Sequence, residues 1–170
     1  MDNDSIYLRP ISYDDTKNIV KWRNNPKVKS RFVFQDDLTE EMHNNYMKTR
    51  VETGEVIQFI IVLKENDKDI GTCFIKDVNY ELRCGETGIF LGEEYMNTGL
   101  GFVAAHALDN YLWDVLDFNY MYARVRKDNR NSLRVSLHQG YEIVPDPENY
   151  GIPDHDNPDV VYLIFRNPRK

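Results

Sequence analysis

The sequence predicts an α/β (α+β) protein in which one mixed central sheet of about seven strands is flanked by about four helices. Three observations support this class. Apolar runs of strand length alternate with segments of helical periodicity. Gly, Pro, Asn and Asp residues separate these segments, and their order is strand, two helices, three strands, helix, strand, helix, two strands. Because no linker or repeat interrupts this order, residues 1–170 are expected to form one domain.

Capping and turn signals divide the N-terminal part of the chain. Ser12 and Asp15 form a capping-box pattern that starts a helix. Pro26 ends this helix, because proline disfavours helical backbone in the residue before it. Thr39 is a suitable N-cap for a second helix. The predicted elements are the strand 6–9, the helix 13–24, the aromatic loop 31–34 and the helix 39–52.

Apolar runs and turn residues predict the remaining elements. Residues 56–63 give the strongest strand signal and, with a turn at residues 66–69, predict a hairpin. Gly140 suits the left-handed cap that ends the last helix, and four prolines mark the loop between the last two strands. The predicted strands are 56–63, 70–78, 86–91, 120–125, 141–144 and 160–165, and the predicted helices are 102–116 and 129–139.

Composition argues against several classes of function. The net charge of −7 does not suit general nucleic-acid binding, which requires a basic surface. No apolar run approaches the roughly 20 residues of a membrane span, and the acidic start is unlike a signal peptide, so a cytoplasmic protein is expected. Cys73 and Cys84 lack metal-ligand spacing and are expected to be free thiols. The four histidines are also far apart in sequence, so no metal site is predicted.

A glycine-rich turn precedes the predicted helix 102–116. Gly99 and Gly101 let an anion approach main-chain N–H groups closely. The first turn of a helix has about four N–H groups without partners, and its dipole favours negative charge. We interpret residues 97–101 as a phosphate cradle. The alternative is a tight strand-to-helix turn without a ligand, since no Gly-Lys-Ser/Thr follows and the dinucleotide fingerprint is incomplete.

Charge is unevenly distributed in the C-terminal part. The segment 142–159 carries six acids and no Lys or Arg. A basic cluster precedes it, consisting of Arg124, Arg126, Lys127, Arg130 and Arg134. Each region can be a solvated surface. Alternatively, the basic cluster attracts an anionic cofactor, and the acidic segment borders a cleft that takes a cationic substrate.

Two motifs carry a family resemblance. Gly-Glu-Thr-Gly-Ile-Phe-Leu-Gly at residues 85–92 is followed by Met-Asn-Thr-Gly-Leu-Gly at residues 96–101. Residues 129–141 form an Asn-x-x-Ser segment that ends in Gly-Tyr. With these motifs, residues 8–165 resemble the GNAT-superfamily N-acetyltransferases, most nearly the RimJ/RimL-like branch. The resemblance implies a single GNAT-like domain that transfers acetyl from acetyl-coenzyme A (acetyl-CoA) to an amine.

The resemblance also implies which residues bind the cofactor. Main-chain amides of residues 96–101 would hold the CoA pyrophosphate, and the fourth strand would position the acetyl group. Met96 stands where the family usually has Arg or Gln, which implies weaker cofactor binding rather than none. The implied cofactor-binding residues are Phe90, Leu91, Asn97, Thr98, Gly99, Leu100, Gly101, Phe102, Asn129 and Ser132.

Two residues are implied as catalytic. Acetyl transfer requires a neutral amine and benefits from a proton on the leaving thiolate. Glu86 is the candidate general base, acting through a water; alternatively, it is a structural carboxylate paired with a Lys or Arg of a neighbouring strand. Ser132 would donate to the departing sulfur, or alternatively would cap its own helix. Ser136 stands where many family members have a Tyr acid, which favours the Ser132 route.

The acceptor is expected near the first helix, where the family builds this site. The implied acceptor-binding residues are Trp22, Arg23, Asn24 and Phe34. A small-molecule amine, such as an amino sugar, a nucleotide sugar or a polyamine, is favoured over a peptide N-terminus. The sequence also allows a non-catalytic acyl-CoA-binding sensor or a plain nucleotide-binding domain. The apolar edges of the last two strands also allow a homodimer.

Overall fold

One mixed sheet forms the centre of the fold. The computed structural model of the chain describes residues 5–32 and 34–170. Its strands are β1 (Ile6–Pro10), β2 (Ile57–Leu63), β3 (Lys68–Asn79), β4 (Cys84–Leu91), β5 (Tyr120–Arg126), β6 (Glu142–Ile143) and β7 (Val160–Arg166). Their order in the sheet is β1-β2-β3-β4-β5-β7-β6. β4 runs parallel to β5, and the other described neighbours are antiparallel.

Five α-helices accompany the sheet. They are α1 (Thr16–Asn24), α2 (Pro26–Lys29), α3 (Glu40–Tyr46), α4 (Leu100–Asp114) and α5 (Arg130–Gln139). The predicted α/β class and its seven-stranded sheet are confirmed. The sequence did not predict α2, which forms because the Asn25 side chain accepts the Lys27 amide at 2.9 Å and Pro26 occupies the first helical position. The predicted helix 39–52 is α3 continued by a π-helical turn, Met47–Val51.

The end of the sheet differs from the expectation of two edge strands. β7 lies between β5 and β6, so it is not an edge. The sequence predicts a strand over 141–144, but β6 comprises only two residues, which lie opposite Ile164 and Leu163, and one further main-chain hydrogen bond runs from the Val144 amide to the Tyr162 carbonyl at 3.0 Å. Pro145 follows immediately, and proline cannot donate to a strand ladder. A homodimer formed at this end of the sheet would therefore have to use β6.

The two faces of the sheet are covered differently. Alternate residues of a strand point to opposite faces. Ile61 belongs to the buried cluster that contains Leu108 and Leu112 of α4, whereas its neighbour Ile60 clusters with Ile19 of α1. On the α1 face, beyond β5, the cover is the segment after β6, whose Ile152 packs in a third buried cluster with residues of β5 and β7. The α1 face of the sheet is therefore covered by two separate segments, α1 and the segment after β6, with a junction between them.

The two cysteines are buried free thiols, as the sequence predicted. Burial raises the pKa of Cys73 far above its ordinary value, so this thiol stays protonated. Both cysteines lie on strands, Cys73 on β3 and Cys84 on β4. Within residues 5–32 and 34–170, no helix is long and apolar enough to cross a membrane.

Gly71 of β3 permits close packing against β4, and its replacement provides a test of the fold. A Cβ atom at this position would lie 2.4 Å from the Phe90 carbonyl oxygen and 2.8 Å from Leu91 Cα. Because these are main-chain atoms, relief requires the strands to shift, and Gly71→Ala is expected to lower the free energy of unfolding by about 1–3 kcal/mol. Gly101→Ala is the control, since its nearest neighbour would be 3.8 Å away. Denaturant unfolding should show a loss for Gly71→Ala alone; equal midpoints would contradict this account.

Candidate active site

The sheet opens between β4 and β5. Among the described residues, the two strands share one register pair, Glu86 with Tyr122. β4 is the fourth of seven strands, yet its residues 87–90 are only half-buried, whereas residues 58–62 of β2 are buried. The carboxyl-terminal half of β4 therefore has an exposed side. An extended ligand can lie there alongside the β4 main chain.

The chain turns sharply between the opening and α4. Asn97 and Gly99 both have left-handed backbone, with φ of 63° and 84°, and Gly99 is the N-cap of α4. The Thr98 hydroxyl donates to the Tyr95 carbonyl at 2.7 Å and thereby fixes the turn. The Gly101 amide has no hydrogen-bond partner in the described structure, and the Leu100 amide makes only a long contact of 3.4 Å with the Thr98 hydroxyl. Together with the helix dipole and the absence of a side chain at Gly101, these amides form a surface that fits the pyrophosphate of acetyl-CoA.

Phe102, the predicted cofactor-binding residue that follows the cradle, makes contacts inside the protein. Its amide donates to the Gly99 carbonyl at 3.0 Å, and its ring lies against His138 of α5 with 5.7 Å between ring centroids. The amide is therefore already used inside the helix, and the ring packs on α5. These contacts give Phe102 a structural role between α4 and α5, and its contact with the cofactor stays a prediction.

A charged network crosses the β4–β5 junction. Glu86 is 6% exposed, and its Oε2 accepts hydrogen bonds from Arg124 Nε at 3.0 Å and Nη2 at 2.6 Å. Lys76 Nζ of β3 lies 3.3 Å from the same oxygen. Burial on its own would lower the pKa of Arg124, but its hydrogen bonds to Glu86 raise it above the ordinary value. This pairing is the structural role that the sequence allowed for Glu86; its role as a base stays a prediction.

The acidic proline-rich segment borders this network. Arg124 Nη1 donates to the Pro153 carbonyl at 3.4 Å and lies 3.6 Å from an oxygen of Asp154. Asp77 lies 3.5 Å from Arg124 Nη2 on the other side. Tyr162 holds the segment by donating to the Asp154 carbonyl at 3.0 Å. The rim of the opening on this face is therefore rich in carboxylates, as the sequence suggested for a cationic substrate.

α5 approaches the opening from the other face of the sheet. The Asn129 side chain accepts the Ser132 amide at 3.2 Å and caps the helix, so its carbonyl oxygen already has a structural use. Ser132 is half-buried and Ser136 is buried. A hydrogen bond between β4 and the end of this helix was not predicted from the sequence: the Thr87 and Tyr141 hydroxyls lie 2.8 Å apart. Burial raises the pKa of Tyr141 strongly, so it stays protonated.

Aromatic contacts join the predicted acceptor region to β4. Arg23 stacks on Phe32 with 3.8 Å between its guanidinium carbon and the ring centroid, and Phe32 meets Phe90 edge-to-face at 5.3 Å. Arg23 Nη2 donates to the Phe34 carbonyl, and its buried Nη1 has no hydrogen-bond partner within the described ranges. Burial lowers the pKa of Arg23. Phe34 itself is 78% exposed.

Trp22 and Asn24 shape this region. Trp22 covers Gly92, where a Cβ would lie 2.9 Å from the indole nitrogen. The Asn24 side chain holds the loop before α3, because its Nδ2 donates to the Leu38 carbonyl at 2.7 Å and its Oδ1 accepts from the Leu38 main-chain amide at 2.8 Å. Direct contact of either residue with an acceptor stays a prediction.

A cavity of about 810 Å³ lies between the α1–α2 region and the cradle. Lys21, Lys27 and Arg31 line it together with Met96 and Asn97. The sequence suggested the cluster 124–134 as the source of positive charge for the cofactor. There, Arg124 is paired with Glu86 and Arg126 with Asp128. Lys27 is likewise paired with Glu93, and Glu93 and Glu94 also line the cavity, so the structure adds Lys21 and Arg31 as cations that the sequence did not indicate.

Known proteins are similar to this chain along most of its length. The family model described as an acetyltransferase (GNAT) domain matches residues 5–142. The uncharacterized N-acetyltransferase p20 of Bacillus licheniformis is 24% identical over 134 residues, which cover 76% of this chain and 75% of that protein. Spermidine N(1)-acetyltransferase of Escherichia coli is 25% identical over 141 residues, which cover 82% and 74%.

Structural similarity extends to nearly the whole fold. The crystal structure of spermidine N-acetyltransferase from Vibrio cholerae, in complex with CoA and spermine, has a TM-score of 0.82 at 15% identity and covers 95% of each chain. At this identity the match establishes the fold. The family match over residues 5–142 confirms the GNAT family expected from the two sequence motifs. The chain belongs to the GNAT acetyltransferase family and is an N-acetyltransferase that uses acetyl-CoA.

Proposed function

We propose that this enzyme transfers acetyl from acetyl-CoA directly to a primary amine of a small cationic molecule, either a polyamine-like compound or an amino sugar. The observation that carries the proposal is the carboxylate-rich rim of the β4–β5 opening, with Glu86, Asp77 and Asp154 around Arg124. Carboxylates beside a cleft attract a cationic substrate. Relatives named as spermidine acetyltransferases support the same class of acceptor.

Main-chain groups hold the cofactor in this proposal. Amides of residues 97–101 bind the pyrophosphate at the start of α4. The exposed side of β4 at Phe90 and Leu91 aligns the pantetheine arm and directs the acetyl carbonyl into the opening. Bound acetyl-CoA supplies an activated thioester, and the protein supplies its orientation toward the amine. Met96 contributes no charge at this position, so affinity depends on the amides and the nearby cations.

Two side chains move protons in this proposal. Glu86 accepts the proton of the incoming ammonium through a water, which leaves a neutral amine able to attack the thioester carbonyl. Hydrogen bonds from Arg124 fix the orientation of its carboxylate. As the thiolate departs, the second proton of the amine passes to it, so the amide and free CoA thiol are released, and Ser132 donates a hydrogen bond to the departing sulfur from the first turn of α5. Arg23, held against Phe32, faces the acceptor side with its buried Nη1 unpaired in the described structure.

The remaining assignments are proposals of the same kind. The Asn-x-x-Ser helix that ends in Gly140-Tyr141 supports placement in the RimJ/RimL-like branch. We assign residues 1–170 to one domain and expect the protein to act in the cytoplasm. If a homodimer forms through a sheet edge at this end, it uses β6.

An acceptor panel tests the proposed substrate class. Polyamines, amino sugars and peptides with free N-termini would be compared by release of free CoA thiol. We expect kcat/KM to be highest for small cationic amines and to fall as salt screens the exposed rim carboxylates. Asp154→Asn should weaken this preference a few-fold. Turnover of peptides alone would contradict the proposal, and acetyl-CoA binding without turnover of any acceptor would favour a sensor role.

Gly99→Ala tests the cradle. Left-handed backbone costs a residue with a Cβ about 1–2 kcal/mol, so the turn at φ 84° should distort. We expect the KM for acetyl-CoA to rise about tenfold, equivalent to 1.4 kcal/mol of binding. Gly54→Ala is the matched control, because Gly54 has φ of 79° but lies before β2, away from the cradle. Equal effects of the two variants on KM would exclude a cradle at Gly99.

Glu86→Gln separates catalysis from structure. Loss of a general base should lower kcat by about 10²–10⁴-fold and remove the acidic limb of its pH profile. Ser132→Ala should lower kcat without removing that limb. Glu55→Gln, which removes an exposed carboxylate paired with Arg50, is the control. If Glu86→Gln lowers the melting temperature but leaves kcat unchanged, Glu86 is only the partner of Arg124.

A further inference from the structure

A second, smaller cavity lies on the opposite face of the sheet from α1. It occupies about 240 Å³ between α4, α5 and the end of β7. Three aromatic side chains line it, Phe102 and Trp113 of α4 and Phe165 of β7. Trp113 and Phe165 meet edge-to-face with ring centroids 5.6 Å apart. The residues that line this cavity include none of the cradle 97–101 and neither Glu86 nor Arg124.

Asp109 lines the same cavity from the middle of α4. It is 6% exposed, and within residues 5–32 and 34–170 it has neither a hydrogen bond nor an ion pair. An isolated buried carboxylate is costly to ionise. Burial accordingly raises the pKa of Asp109 to about 7. A carboxylate in this position would be stabilised by a cation that enters the cavity.

The cations of the protein near this cavity do not fill that role. Arg169 also lines the cavity, but it forms an ion pair with Asp114, and its Nη2 donates to Asn110 at 3.0 Å. His106 and His138 are the other titratable groups of the lining. Tyr141 follows α5, and the charge of Asp109 adds to the effect of burial in raising the pKa of its hydroxyl. The side chains around Asp109 therefore leave its carboxylate without a paired counter-ion in the described part of the chain.

We propose that this cavity binds a small alkylated ammonium ion, with the Asp109 carboxylate as its counter-ion and Phe102, Trp113 and Phe165 as its walls. Aromatic faces attract such cations through their quadrupoles, and the attraction grows when the site is shielded from water. A buried carboxylate supplies the charge that a neutral apolar cavity would lack. The proposal does not depend on which acceptor the enzyme acetylates.

Tetramethylammonium is a suitable probe because it has no N–H and cannot be an acetyl acceptor. Its binding is therefore independent of turnover at the active site. The measurement is the melting temperature of the full chain at constant ionic strength, with sodium as the ionic control and tert-butanol as the neutral molecule of similar shape. At concentrations about ten times a millimolar dissociation constant, we expect tetramethylammonium to raise the melting temperature by about 3–6 °C.

Asp109→Asn should abolish this rise. The amide has the shape of the carboxyl group without its charge, so the variant should fold. Asp14→Asn removes an exposed carboxylate before α1, outside the residues that line the cavity, and should retain the full rise. An equal rise in Asp109→Asn, an equal rise with tert-butanol, or no rise in the wild type would each overturn the proposal.

The dependence on pH supplies a second measurement. Because the folded-state pKa of Asp109 is raised, the folded protein retains this proton above the pKa of the unfolded chain, and stability falls as pH rises through about 7. Without ligand, Asp109→Asn should therefore melt above the wild type at about pH 8, and the difference should shrink at about pH 5.5. The tetramethylammonium effect should be larger at the higher pH. Comparison with Asp109→Asn removes the contribution of the histidines, and identical pH profiles of the two proteins would contradict the proposal.

Discussion

The ion pair between Glu86 and Arg124 spans the place where the sheet is almost divided. β4 and β5 share a single described register pair, at Glu86 and Tyr122. Beyond that pair the main chain of β4 has no strand on one side, which is a costly arrangement unless a ligand or water satisfies it. Arg124 ties the two strands together from β5 and anchors the acidic segment through the Pro153 carbonyl. The same contact therefore limits the opening and positions its carboxylate-rich rim.

A protein with a net charge of −7 must bind an anionic cofactor. Main-chain amides at the start of α4 provide a way to do so that is independent of side-chain charge. Lys21 and Arg31 line the larger cavity beside these amides, whereas Lys27 is paired with Glu93. Long-range repulsion falls off within about 10 Å at moderate ionic strength, so local donors decide the energy at the pyrophosphate.

Aromatic contacts join the predicted acceptor-binding residue Arg23 to β4. Phe90 of β4 supports Phe32, and Phe32 supports Arg23, so the loop before α3 is coupled to the strand that would carry the acetyl group. Asn24 fixes the same loop through Leu38. Movement of this loop would alter the acceptor cleft and the β4 surface together.

On the opposite face, Asp109 is a buried carboxylate with no paired partner among the described residues.

Local chemistry in the sequence determined most of the elements and the family. Apolar periodicity, the caps at Ser12 and Thr39 and the glycine at Gly140 act within a few residues, so they predicted the sheet and the longer helices. The four-residue α2 was not predicted, because only a single cap and a proline define it. Only the tertiary structure decided that Glu86 meets Arg124, 38 residues away, and that the exposed side of β4 faces this pair. It also decided that Asp109 faces a cavity, because burial and pairing depend on which distant segments pack together.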